Sequence, residues 1–165
     1  MAPLRQGTTS KGMEYSIHEC PAKLRQEVGS VLRGVDLTKL LIVPTCQHAA
    51  VDLVQTGEKV DVEKDLLLEK FFEWAKKVTG TLESQGHWAD YIDPCSGLPM
   101  IHQECSGAVY PEVEALTQLM QYKTSNAGCC KILLHPVWGS AVYPATMFTT
   151  APLESLLQAI SAADQ

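Results

Sequence analysis

Apolar positions along this chain recur with two periods, and their order predicts a mixture of strands and helices. Met13, Tyr15 and Ile17 alternate with polar residues and predict a half-buried strand ending near Cys20. Pro21 suits the first turn of a helix in which Leu24, Val28, Val31 and Leu32 recur at helical spacing as far as Gly34. Residues 40–46 read as a short apolar strand, which Pro44 places toward an edge or a bulge, with residues 50–56 as its expected partner.

The clearest helical stripe runs through residues 62–85. Leu67, Phe71, Trp74, Ala75, Val78 and Leu82 share one face, Asp61 is the expected cap, and Gly86 is placed to end the helix. Gly80 inside it costs about 1 kcal/mol relative to alanine, which predicts close packing there.

Beyond that helix, residues 88–93 alternate as a strand, 94–97 form a turn, and 98–102 are the expected return strand. A helix is expected over 110–120 and a polar loop over 122–127. Two strands, 130–135 and 141–149, are joined through Pro136-Val137-Trp138-Gly139, and a closing helix spans 151–160. No β-α-β-α rhythm appears, so the pattern predicts an α+β fold with a largely antiparallel sheet flanked by helices. Residues 1–11 are expected to be a disordered arm and residues 12–165 a single globular domain.

Composition narrows the function classes. A net charge of -6 argues against a nucleic-acid surface, which needs clustered Lys and Arg. No apolar run approaches the ~20 residues of a membrane span, and residues 1–11 lack the features of a secretory or transit signal. Six cysteines at irregular spacing do not make a secreted disulfide scaffold, so reduced thiols in an intracellular compartment are expected.

Familiar phosphate and dinucleotide loops are absent, as is a Gly-x-Ser-x-Gly elbow. His18-x-Cys20 and His102-x-x-Cys105 are poor zinc spacings, so no zinc site is expected. The neighbouring thiols Cys129 and Cys130 remain. On a strand, consecutive side chains face opposite ways, so one thiol is expected in the core and the other outside. Gly128 and the polar stretch before it make Cys129 the exposed one, and Lys131 lies close enough in sequence to favour a thiolate. By residue type alone, the pair reads more readily as two inert buried cysteines, since free cysteine is commonly buried. His135 and Trp138 read as turn and anchor residues, and Asp93 with Ser96-Gly97 as turn chemistry.

Several separated motifs then carry a resemblance. Leu66-Leu67-Leu68-Glu69-Lys70-Phe71, Gly86-His87-Trp88-Ala89-Asp90-Tyr91-Ile92-Asp93-Pro94 and Gly128-Cys129-Cys130-Lys131 with His135 and Trp138-Gly139 resemble the CblD family of cobalamin-trafficking proteins. The resemblance implies a nitroreductase-like fold without bound FMN, and an adaptor rather than an enzyme. Cobalamin would be met only through the partner CblC and routed to methionine synthase or methylmalonyl-CoA mutase. It also implies a cytoplasmic and mitochondrial location. The cobalt-coordinating cysteine of the family falls on Cys129, with Cys130, Lys131, His135 and Trp138 as supporting residues. Two other classes compete: a thiol-redox protein using the vicinal pair, and a flavin-dependent reductase of the same fold.

Overall fold

The computed structural model describes residues 2–105 and 107–165. Among these residues seven strands and four α-helices follow in the order β1 (Arg5–Thr8), β2 (Glu14–Glu19), α1 (Arg25–Val31), β3 (Leu41–His48), α2 (Glu58–Ser84), β4 (Ala89–Tyr91), α3 (Glu112–Met120), β5 (Lys123–Ala127), β6 (Cys130–Leu134), β7 (Val142–Thr149) and α4 (Leu153–Ala163). Five strands form one sheet, ordered β1-β2-β3-β7-β4 with every pair antiparallel, and β5-β6 stand apart as a hairpin. The fold is therefore α+β with a mostly antiparallel sheet flanked by helices, as the pattern predicts.

Both faces of the sheet are covered, which explains why β3 and β7 read as apolar runs rather than alternating ones. Leu41, Val43, Ala145 and Met147 point toward α2 and α4, packing with Phe71, Trp74, Val78, Leu82 and Leu156. Ile42 and Phe148 point the other way, toward Leu24, Val28, Val31, Tyr110 and Leu119. Leu67, Phe71, Trp74, Ala75, Val78 and Leu82 are the buried stripe of α2, as its periodicity requires.

Several boundaries differ from the sequence reading, each for a local reason. The arm expected over residues 1–11 contains β1, with Arg5 to Thr8 in register against Ile17 to Glu14; Met1 lies outside the described residues. Its polar side chains form an edge strand, held by backbone pairing rather than by apolar burial. Pro44 does not mark an edge, because β3 lies between β2 and β7. The cost of its missing N–H shows instead in the β2 ladder, which pairs Tyr15 with Thr45 and His18 with Ile42 but lapses opposite Val43 and Pro44.

The segment 50–56 is not a strand: the Asp52 carboxylate accepts from the Val54 N–H and turns the chain. Nor is 98–102 a return strand. Only Ile92 and Pro99 bridge, because the buried Asp90 carboxylate takes the N–H groups of Ile101 and His102 that a ladder would use. Helix α2 starts after Gly57 rather than at Asp61. It ends as expected, with Gly86 at φ 85° and its following residue closing a Schellman turn: His87 N–H to Leu82 C=O and Gly86 N–H to Glu83 C=O. A Cβ at Gly80 would meet nothing within 4 Å, so close packing does not account for that glycine.

Candidate functional site

The stretch expected to be a polar loop, 122–127, is β5, paired with β6 from Lys123↔Leu134 to Ala127↔Cys130. Its side chains show no apolar alternation because four of its five residues are exposed. Gly128 and Cys129 are the two turn residues joining these strands. Gly128 has φ 63°, and Gln121 is the one non-glycine at positive φ among the described residues, so the turn needs a glycine only at its first position. That is the requirement of a type II′ hairpin turn.

This placement changes the expected geometry of the thiols. Cys129 is in the turn, not on a strand, and it is exposed. Cys130 opens β6 and is exposed as well, so the expected division into one outer and one core thiol does not hold. The alternation argument fails because a two-stranded tip has no core side. The inert pair buried in a core is likewise not what forms. Cys95 is exposed too, whereas Cys20 and Cys46 are buried, and burial pushes both of those thiols up.

Lys131 does not turn toward the thiols. Its ammonium donates to Glu114 Oε1 at 2.7 Å, tying the hairpin to the first turn of α3. Leu133, further down β6, is buried with Cys46, Leu116 and Val142, and anchors the base of the arm.

His135 and Trp138 form that base. His135 is 5% exposed and closes a turn with Gly139 through two backbone hydrogen bonds. Its Nδ1 accepts from the N–H groups of Val137 and Trp138, at 3.1 and 3.2 Å. The ring proton therefore resides on Nε2, which donates to Glu14 Oε1 at 2.7 Å. Trp138 stacks on His135 with centroids 4.1 Å apart and on His48 with centroids 5.0 Å apart, and Tyr122 meets His135 edge-on. The structure thus unites His135 and Trp138 at the foot of the arm and places Cys129 and Cys130 at its tip, with Lys131 between.

Glu14, His48, Tyr122 and Glu114 belong to this assembly, and none stood out in the sequence. Glu14 lies 121 positions from His135, so no local spacing announces the contact. A cleft of about 280 Å³ opens beside the foot, lined by Glu14, Ser16, Pro44, Cys46, Met120 and Tyr122 among others. It lies along the lapse in the β2–β3 ladder. Neither Cys129 nor Cys130 lines it.

Glu112 sits deeper, at the start of α3. Thr146 Oγ1 donates to its Oε1, and its Oε2, sealed from solvent, has no partner among the described residues. Burial pushes its carboxyl up to about 7, against a smaller opposing effect of the Thr146 hydroxyl. Among the described residues no group of three or more His, Cys, Asp or Glu is placed to hold a metal ion. No helix among them is long and apolar enough to cross a membrane.

Chemically, the assembly is a braced arm that presents two thiols to solvent from an α+β body. Its family is defined by sequence. Residues 5–160 match the family of the methylmalonic aciduria and homocystinuria type D protein, and the chain belongs to that family. The chain is 34% identical to the rat (Rattus norvegicus) cobalamin trafficking protein CblD over 146 residues, which is 88% of this chain and 49% of the rat protein. It is 33% identical to the human (Homo sapiens) protein over the same span. Identity to the chicken (Gallus gallus) CblD is 29% over 143 residues, covering 87% of this chain and 48% of that protein. The chain spans about half the length of the curated relatives it matches.

Proposed function

We propose that this protein is a cobalamin-trafficking adaptor that offers the Cys129 thiolate to cobalt held by a partner protein. The observation that carries this reading is the position of Cys129 in the turn of an exposed hairpin. A thiolate is a soft, polarisable donor suited to an open axial position on cobalt. A thiol in a turn reaches into a partner's site with the least bulk around it. In the ligation step the Cys129 thiol gives its proton to solvent and its sulfur lone pair to the metal, with no net oxidation or reduction.

Cys130 is the neighbour that sets the turn, Lys131 braces the arm on α3, and His135 with Trp138 holds its foot.

By family resemblance the partner is CblC and the onward acceptors are methionine synthase and methylmalonyl-CoA mutase, reached in cytoplasm and mitochondrion. The same resemblance makes the fold nitroreductase-like, without FMN, and the role non-catalytic, and the cysteine and histidine spacing argues against zinc. The test is to mix the protein with cobalamin-loaded CblC and record the visible spectrum. A new cobalt–thiolate band supports the reading, and an unchanged spectrum rejects it.

One observation favours a second reading, a thiol-redox role. Cys129 and Cys130 are both exposed and adjacent, so an oxidant that accepts two electrons meets both. Two thiols would lose two protons and two electrons to form a strained vicinal disulfide. A mass loss of two hydrogens after mild peroxide, reversed by a dithiol with turnover, identifies that reading; its absence removes it.

A further inference from the structure

The cleft beside the foot of the arm, about 280 Å³, is built from β1, β2 and β3 on one side and the end of α3 on the other. Pro44, Cys46, Leu116 and Met120 give it apolar surface, and Glu14 and Ser16 give it polar atoms.

Two features leave this cleft short of positive charge and of donors. Among the described residues that line it, Glu14 alone carries a charged side chain, and no Lys, Arg or His accompanies it. The His135 N–H that Glu14 Oε1 accepts does not cancel that charge. With Nδ1 accepting two backbone N–H groups, the imidazole is neutral. Glu14 Oε2 has no hydrogen bond or ion pair among the described residues, and the side chain is 38% exposed, within reach of a ligand. The second feature lies in the backbone. Ser16 falls opposite Pro44 where the β2–β3 ladder lapses, and Pro44 has no N–H to give. Cys46 adds no compensating charge: burial first, then the neighbouring Glu14 and Glu112, push its thiol up and keep it neutral.

We propose that this cleft binds a primary alkylammonium ion. Its N–H groups face the Glu14 carboxylate and the β2 backbone at Ser16, while its hydrocarbon body lies against Pro44, Leu116 and Met120. A carboxylate or phosphate would meet an uncompensated like charge here, and a bare metal cation would find one carboxylate and bury no apolar surface. Neither thiol of the arm lines the cleft, so the proposal stands independently of the cobalt reading.

The test uses the full chain with carbon-13 on its methionine methyl groups. The Met120 resonance, assigned with Met120→Leu, is followed during titration with butylammonium chloride at constant ionic strength. Butanol and butanoate are the neutral and anionic controls. Glu14→Gln removes the charge while keeping an acceptor for His135. Gln6→Lys, on the exposed edge strand, sets a fixed ammonium at the mouth without touching the core. The expected result is a saturable Met120 shift with butylammonium and none with butanoate. Butanol with wild type, and butylammonium with either variant, are each expected to bind about tenfold or more weakly, the loss of one charge-assisted contact. No saturable shift, equal affinity for butanol, binding of butanoate, or unchanged affinity in Gln6→Lys or in folded Glu14→Gln each overturns the proposal.

Discussion

The His135 imidazole donates from Nε2 to Glu14 Oε1 at 2.7 Å, joining the foot of the thiol arm to the second strand of the sheet. Because Nδ1 already accepts two backbone N–H groups, losing Glu14 leaves a buried donor unpaired rather than freeing the ring to turn. Glu14→Ala is expected to lower stability by about 1–3 kcal/mol, with Glu14→Gln retaining part of it. Urea unfolding measures this, and an unchanged midpoint in Glu14→Ala would contradict it.

The Lys131–Glu114 contact makes a different demand. Both side chains are about half exposed, so the pair contributes at most about 1 kcal/mol to global stability. Its effect is local. Glu114→Gln is expected to leave the unfolding midpoint nearly unchanged while speeding amide exchange at residues 128–131. Equal exchange rates in both proteins would show that the arm is held without this contact.

Asp90 carries more. Its carboxylate accepts from the N–H groups of Tyr91, Ile101 and His102, all within 2.7–2.9 Å, in a fully buried position. Asp90→Ala strands three backbone donors and is expected to cost about 3 kcal/mol or more. Thermal unfolding with Asp90→Asn alongside separates the loss of charge from the loss of the acceptors.

Two buried groups give opposite pH slopes. Burial raises the Glu112 carboxyl to about 7 in the fold, against 4.5 ordinarily, so the folded state holds more protons than the unfolded state between those values. Its contribution is therefore complete below about pH 4.5 and lost as pH rises through 7, at most about 3 kcal/mol. Burial lowers His18 from 6.5 to about 4, so its contribution is complete above 6.5 and lost as pH falls toward 4. In the wild type the two oppose each other between pH 4.5 and 6.5. Glu112→Gln is expected to remove the fall toward pH 7 and reveal a stability that rises with pH across the histidine's range. Urea midpoints at pH 5, 6 and 8 test this; a pH profile identical to wild type would contradict it.

The sheet-forming runs and the α2 stripe were legible because both faces of β3 and β7, and one face of α2, are buried, and burial writes a period into the residues. Strands β1 and β5 were not legible because backbone pairing alone holds them, and their side chains, mostly in solvent, carry no period. At the arm, residue order showed which positions matter but not their geometry. Assigning Cys130 to the core assumed a strand covered along its whole length, and β6 is buried only toward its foot, at Leu133. Glu14, His48 and Glu114 were silent for another reason: they act through contacts that only the folded chain brings together.

The exposure of both thiols makes the assignment of the cobalt ligand to Cys129 the central question. Cys129 and Cys130 differ by position alone, one in the turn and one opening a paired strand. The measurement is the visible spectrum of cobalamin-loaded CblC mixed in turn with wild type, Cys129→Ser and Cys130→Ser. The expected result is a cobalt–thiolate band with wild type and Cys130→Ser that is absent with Cys129→Ser. A band that survives Cys129→Ser would contradict the assignment.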